Sequence, residues 1–162
     1  MDKKSDLTGK KILIVDDEPD ILETLEDLLD RCEIVKAVSF DEAETFLKKQ
    51  DFDIAILDIM GVDGYKLLEI AKNRGIISVM LTARAVTPGD IARSYKGGAD
   101  YYVPKEEMAN METFLEDVLE AKKSGKNPWG KWYLRLADFC ERKFGEDWQD
   151  ADEDFWKRFP FY

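Results

Sequence analysis

Acid pairs and lone polar residues close several apolar runs of this 162-residue chain. Asp16, Asp17 and Glu18 follow Lys11-Ile-Leu-Ile-Val15, and Asp58 follows Ile54-Ala-Ile-Leu57. Thr82 follows Ile76-Ile-Ser-Val-Met-Leu81, and Lys105 follows Tyr101-Tyr-Val-Pro104. Three or four carboxylates gathered in one cleft repel one another unless a cation neutralises them. Oxygen-only ligands without His or Cys favour a hard ion such as Mg2+. The chain has no His, which removes Ser-His-Asp and Cys-His catalysis and His-ligated metals. Acid-base or nucleophilic work therefore falls to carboxylates, Lys, Ser, Thr or Tyr.

For those groups to meet, the elements carrying them must be adjacent. Residues 11–16 read as a strand ending in acid, and apolar residues Ile21, Leu22, Leu25, Leu28, Leu29 and Cys32 fall at helical spacing after it. The alternation continues with a strand at 34–38, a helix at about 41–49, a strand at 53–57 and a helix at about 64–73. A strand at 76–81, a helix at about 88–96, a strand at 101–103 and a helix at about 107–122 complete it. Strands apolar on both faces belong in a parallel sheet covered by helices on each side, so the fold class is α/β, doubly wound and five-stranded. In such a sheet ligands bind outside the carboxyl ends of the strands at the switch point, where the ends of strands one and three meet. Thr87-Pro88-Gly-Asp90 predicts a helix start, and Asp63-Gly64 a turn before the third helix.

Composition narrows the partners. Twenty-four Lys and Arg against 35 Asp and Glu give a net charge of -11, which disfavours phosphate backbones and anionic lipid. No apolar run approaches the roughly 20 residues of a membrane span. Cys32 and Cys140 are far apart, and the amino terminus lacks the apolar segment of a secretory signal. The expectation is a reduced, cytoplasmic protein that binds neither nucleic acid nor membrane.

The carboxyl-terminal part differs in kind. After the breaker-rich Ser124-Gly-Lys-Asn-Pro128, residues 129–162 hold 11 of the 19 aromatics, including all four Trp. Trp129, Trp132, Tyr133, Leu136, Phe139, Cys140 and Phe144 recur at helical steps, Gly145 stops that helix, and Trp148, Ala151, Phe155, Trp156 and Phe159 suggest a second. The layout read from the sequence is a polar tail at 1–9, an α/β domain at 10–123, a linker at 124–128 and a helical hairpin at 129–162. Such a stripe is ordinarily a small core or a face docked on the parent domain; a homodimer or kinase-docking surface is the alternative.

The motifs Lys-Ile-Leu-Ile-Val-Asp-Asp-Glu-Pro (11–19), Ile-Leu-Asp-Ile-Met (56–60), Met-Leu-Thr-Ala (80–83) and Gly-Ala-Asp-Tyr-Tyr-Val-Pro-Lys (98–105) resemble, in this order and spacing, the receiver domain of two-component response regulators. The resemblance covers roughly residues 10–123. It implies a flavodoxin-like sheet of order 2-1-3-4-5, and a signalling protein that catalyses only its own phosphorylation and dephosphorylation. By the same resemblance, Asp58 looks like the acceptor of a phosphoryl group from a histidine kinase or phosphotransfer protein. Asp17 and Asp58 would ligate Mg2+, with Asp16 acting mainly through water and the Met60 carbonyl completing the protein ligands. Lys105 would pair with the phosphoryl oxygens, Thr82 would bind one of them after transfer, and Tyr102 matches the aromatic that switches with Thr82. An unknown output protein would read the result.

Two departures from the family pattern stand out. The stretch Ile59-Met-Gly-Val-Asp-Gly64 is about two residues shorter than the usual loop, and Glu106 follows Lys105 where the family has Pro. A Mg2+-dependent aspartyl phosphatase is one rival reading, with Asp16 and Glu18 imitating its paired acids. A non-phosphorylated interaction module is another.

Overall fold

The structure, a computed structural model, describes residues 7–82, 87–148 and 155–156. The apolar runs form five parallel strands: β1 (Lys11–Val15), β2 (Glu33–Ala37), β3 (Ile54–Asp58), β4 (Ile77–Thr82) and β5 (Tyr101–Pro104). Their order is β2-β1-β3-β4-β5. Every residue of β3 is buried, which requires cover on both faces. That cover comes from α1 (Pro19–Leu28), α2 (Phe40–Lys49), α3 (Gly64–Asn73), α4 (Pro88–Lys96) and α5 (Met111–Lys123).

Local chemistry sets several boundaries. Thr87 Oγ1 accepts the amide of Asp90 at 3.0 Å and Pro88 opens α4, as its sequence predicts. Asp63 adopts the left-handed conformation, φ 56°, immediately before α3. The first strand stops at Val15, one residue short of the sequence reading, because Asp16 turns its side chain back onto the amide of Glu18 at 2.9 Å. The helix expected at about 107–122 is divided. A 3-10 turn covers Lys105–Asn110 and α5 begins at Met111, with Asn110 outside α geometry at φ -96°, ψ 15°. At the amino end, residues 1–6 of the expected polar tail lie outside the described residues. Leu7 is fully buried and its carbonyl accepts the Cys32 thiol, so the end of that segment packs onto the domain.

The aromatic segment forms α6 (Trp129–Phe144), which lies against the outer side of β5. Trp129, Trp132, Leu136, Phe139 and Cys140 form its buried stripe. The indole of Trp129 donates to the Ala99 carbonyl at 2.9 Å, and that of Trp132 to the Tyr102 carbonyl at 2.7 Å. Trp129 meets Tyr95 of α4 edge-on at 5.5 Å between ring centres. Arg135 pairs with Asp117 of α5, and Lys143 with Glu106 at 2.9 Å. Gly145, at φ 94°, ends the helix. Beyond it, Trp148, Phe155 and Trp156 are buried, with Phe155 against Tyr95. Residues 155–156 are helical; the rest of the expected second helix, including Ala151 and Phe159, lies outside the described residues. Of the two uses foreseen for the stripe, docking on the parent domain is the one observed.

Candidate functional site

Strand register brings the acids together. Val15 of β1 is level with Leu57 of β3, so the residues that follow, Asp16 and Asp58, emerge side by side. Asp58 is level with Leu81 of β4, and Leu81 with Val103 of β5. Thr82 and Lys105 therefore end neighbouring runs at the same edge of the sheet. One carboxylate oxygen from each of Asp16, Asp17 and Asp58 lies within 4.8 Å of the other two. Lys105 Nζ is 2.7 Å from Asp16 Oδ2, 3.0 Å from Glu18 Oε1 and 3.6 Å from Asp58 Oδ1.

The cluster is electrostatically under-compensated. Asp16 is 0% exposed and Asp58 4%, whereas Asp17 is open to solvent. Two unit charges some 4 Å apart repel by roughly 4 kcal/mol at an effective dielectric of about 20, and among the described residues the Lys105 ammonium is the cation that faces this group of carboxylates. Burial, then the charges of Asp16 and Asp17, push the Asp58 carboxyl up to about 7 against the opposing pull of Lys105. Burial also raises Asp16, in spite of Lys105 and the Glu18 amide. For Lys105 burial acts downward, but its close contacts with the Asp16 and Glu18 carboxylates outweigh it and hold the ammonium above its usual range.

These residues fit a hard divalent cation. Among the described residues Asp16 Oδ2 is buried without a hydrogen-bond donor of proper geometry, although the Lys105 ammonium is close. Together with oxygens of Asp17 and Asp58 it makes a donor set of the kind Mg2+ takes, with water completing the shell.

The short loop after Asp58 closes under this cluster. Gly64 donates its amide to the Ile59 carbonyl at 3.1 Å, and Ile59 donates to Leu81 at 3.0 Å. A Cβ on Gly64 would stand 2.1 Å from the Asp58 carbonyl oxygen. At Gly61, φ 85°, it would stand 2.5 Å from Asp17 Oδ2. Gly64 has no room for a side chain against fixed backbone, and at Gly61 a side chain is strained by the positive φ and must displace the Asp17 carboxylate, so the reduced loop brings backbone directly against two of the acids.

Of the residues singled out in the sequence, Asp16, Asp17, Asp58 and Lys105 form one cluster. Thr82 is buried at the end of β4, and the Met60 side chain projects into solvent. Tyr102 is fully buried, its hydroxyl without a hydrogen-bond partner among the described residues. Sequence reasoning missed the contact of Glu18 with Lys105 and the close approach of Gly61 to Asp17. The adjacency of Glu18 to the acid pair was the available signal for the first. The second had none beyond the presence of glycine in a short loop.

A doubly wound α/β protein with an acidic switch-point cluster and a lysine is the class these features define. The profile of the response regulator receiver domain matches residues 12–116, and the chain belongs to that family of two-component proteins. Among curated relatives it is similar to the response regulator GtcR of Aneurinibacillus migulanus, with 30% identity over 69% of this chain and 50% of that protein. It is also similar to the heme response regulator HssR of Staphylococcus haemolyticus, with 39% identity over 59% of this chain and 44% of that one. The chain thus spans half or less of the length of these relatives. Among solved structures, a CheY-like receiver domain from Methanospirillum hungatei superposes with a TM-score of 0.62 at 30% identity, covering 72% of this chain and 98% of that one. The beryllofluoride-activated receiver domain of DrrB, from Thermotoga maritima, superposes with a TM-score of 0.60 at 25% identity, covering 69% and 98%.

Proposed function

We propose that this chain is the phosphoacceptor of a two-component relay, taking a phosphoryl group onto Asp58 from a phosphohistidine of a sensor kinase or phosphotransfer protein. The observation that carries the reading is the convergence of Asp16, Asp17 and Asp58 on one point with the Lys105 ammonium beside them. In the transfer, an Asp58 oxygen attacks phosphorus, the P–N bond to the donor imidazole breaks, and an acyl phosphate forms. Little covalent help is required of the protein; alignment and neutralisation of the equatorial oxygens suffice.

Each residue then has a role. Asp17 and Asp58, with Asp16 and the Met60 carbonyl, would hold Mg2+, which when bound supplies charge neutralisation. Lys105, already 3.6 Å from Asp58, lies within reach of the incoming phosphoryl oxygens. Thr82 offers its hydroxyl to one of them, and Tyr102 responds to that contact from the adjacent strand. Residues 10–123 act as the receiver, 124–128 as linker and 129–162 as an extension. Its output is a protein-protein contact with a partner yet to be identified, a second copy included, in a cytoplasmic setting. No helix among the described residues is long and apolar enough to cross a membrane. The phosphatase alternative finds less support, since the Glu18 carboxylate is engaged by Lys105.

Incubation with Mg2+ and acetyl phosphate, followed by intact-mass measurement, tests the reading. One acid-stable, hydroxylamine-labile phosphoryl adduct on the wild type and none on Asp58→Asn is expected. Equal labelling of both sinks the assignment.

A further inference from the structure

Lys105 reaches the carboxylates from the end of β5, and α6 grips the segment that delivers it at two points. Upstream, the Trp132 indole donates to the carbonyl of Tyr102, three residues before Lys105. Downstream, Lys143 Nζ bonds both oxygens of Glu106, the next residue after Lys105, at 2.9 and 3.1 Å. Trp132 and Lys143 lie on one continuous helix, about three turns apart. A rigid rod therefore spans the stretch Tyr102–Glu106.

That stretch has reason to need a splint. Lys is a point charge on a flexible stem with many rotamers to lose, and here its ammonium must sit among three carboxylates. Glu106 has none of the φ restriction a proline would give. Displacing a positioning group by about 1 Å can cost up to 100-fold in rate.

We infer that α6 is a working part of the acceptor site: Trp132 and Lys143 are positioning residues that act on Asp58 chemistry only through Lys105. This rests on the reading of Asp58 as phosphoacceptor. It assigns the aromatic extension a task beyond filling a surface, and by linkage it makes the rod responsive to whatever Lys105 holds.

A mutant cycle on the full chain tests it, reading the initial rate of acyl-phosphate formation with Mg2+ and acetyl phosphate. Trp132→Phe keeps an aromatic ring but loses the N–H donor; Lys143→Gln removes the exposed pair with Glu106 and the cation over the Phe139 ring of the same helix. The first should slow the reaction about fivefold and the second about twofold, with Lys143→Arg restoring the rate. Leu134→Ala, on the solvent side of α6 at 78% exposure, should leave it unchanged. In a Lys105→Ala background, measured over longer incubations, both slowing effects should vanish. Urea midpoints for each variant register folding separately from rate. Equal fold-losses with and without Lys105, or unaltered rates in both single variants, overturn the inference alone. A wild-type chain that forms no adduct on Asp58 overturns the acceptor reading and the inference with it.

Discussion

At the carboxyl end of β3, Asp58 is buried beside Asp16 with Asp17 close by, and burial and those neighbours push its carboxyl up to about 7. At the outer side of β5, Trp132 is just as buried, its ring packed 5.1 Å from that of Trp129 and its N–H on a strand carbonyl. One site holds charge where desolvation opposes it; the other holds apolar surface with its only polar atom satisfied. Removing an aromatic side chain from water is favourable by roughly 4 kcal/mol as an upper figure, while a buried ionised carboxylate is unfavourable unless paired. The difference separates residues kept for stability from residues kept in spite of it, and it gives opposite signs to mutation at two places on one sheet.

The comparison breaks most readily at Trp129. Its replacement by alanine removes a ring buried between Tyr95 and Trp132 and a hydrogen bond to Ala99. Urea unfolding should show a loss of about 3–5 kcal/mol; a loss below about 1 kcal/mol would mean that the extension is weakly attached.

Asp58→Asn should move stability the other way, by about 1–3 kcal/mol in the absence of divalent ions. The sign follows from proton linkage. Asp58 has its carboxyl at about 7 when folded and 3.8 in its ordinary state, so between those values the folded chain binds more protons than the unfolded one. Its contribution to stability is complete below about pH 4 and is lost as pH rises through about 7. Thermal melts of wild type from pH 5 to 8 should decline relative to Asp58→Asn, and Mg2+ should narrow the gap. Parallel pH profiles for both proteins would show that Asp58 is not the strained group.

A smaller change tests the loop. Gly61→Ala places a methyl group 2.5 Å from Asp17 Oδ2 on a backbone at φ 85°. Stability should fall by about 1 kcal/mol and calorimetric Mg2+ affinity by about tenfold. Unchanged affinity would remove Asp17 from the cation site. The smallest effect is expected for Arg31→Ala, which frees Glu112 and Glu116 in a pairing of half-exposed groups and should alter the denaturation midpoint by under about 1 kcal/mol of stability. A larger loss would show that charge contributes on this flank as aromatic packing does on the opposite one.

Much of the fold was legible because its signals are local. Ile54-Ala-Ile-Leu57 reads as a strand covered on both faces, and Thr87-Pro88 marks a helix start whatever surrounds it. Boundaries failed where a side chain competed with the backbone: Asp16 ended β1 by capping Glu18, and the run after Lys105 tightened into a 3-10 turn before α5. At the site, acids at strand ends were readable because parallel register aligns them without further information. Glu18 on Lys105 and Gly61 under Asp17 were not, since each depends on where a loop closes in space. The same holds for α6. Helical spacing identified its apolar stripe, yet nothing in that spacing chooses the carbonyls of Ala99 and Tyr102 as its partners.

Those two carbonyls have one more consequence. A sheet ordinarily ends in a rim of open peptide groups onto which another chain can add a strand, the route to filaments and tangled oligomers. Here one indole takes the Tyr102 carbonyl of β5 and another the Ala99 carbonyl just before it, with α6 packed alongside, and the opposite rim, β2, carries exposed Glu33 and Lys36. A cell can thus crowd many copies together with little risk of their sheets fusing, and contacts between copies are left to side chains, which can be made and released.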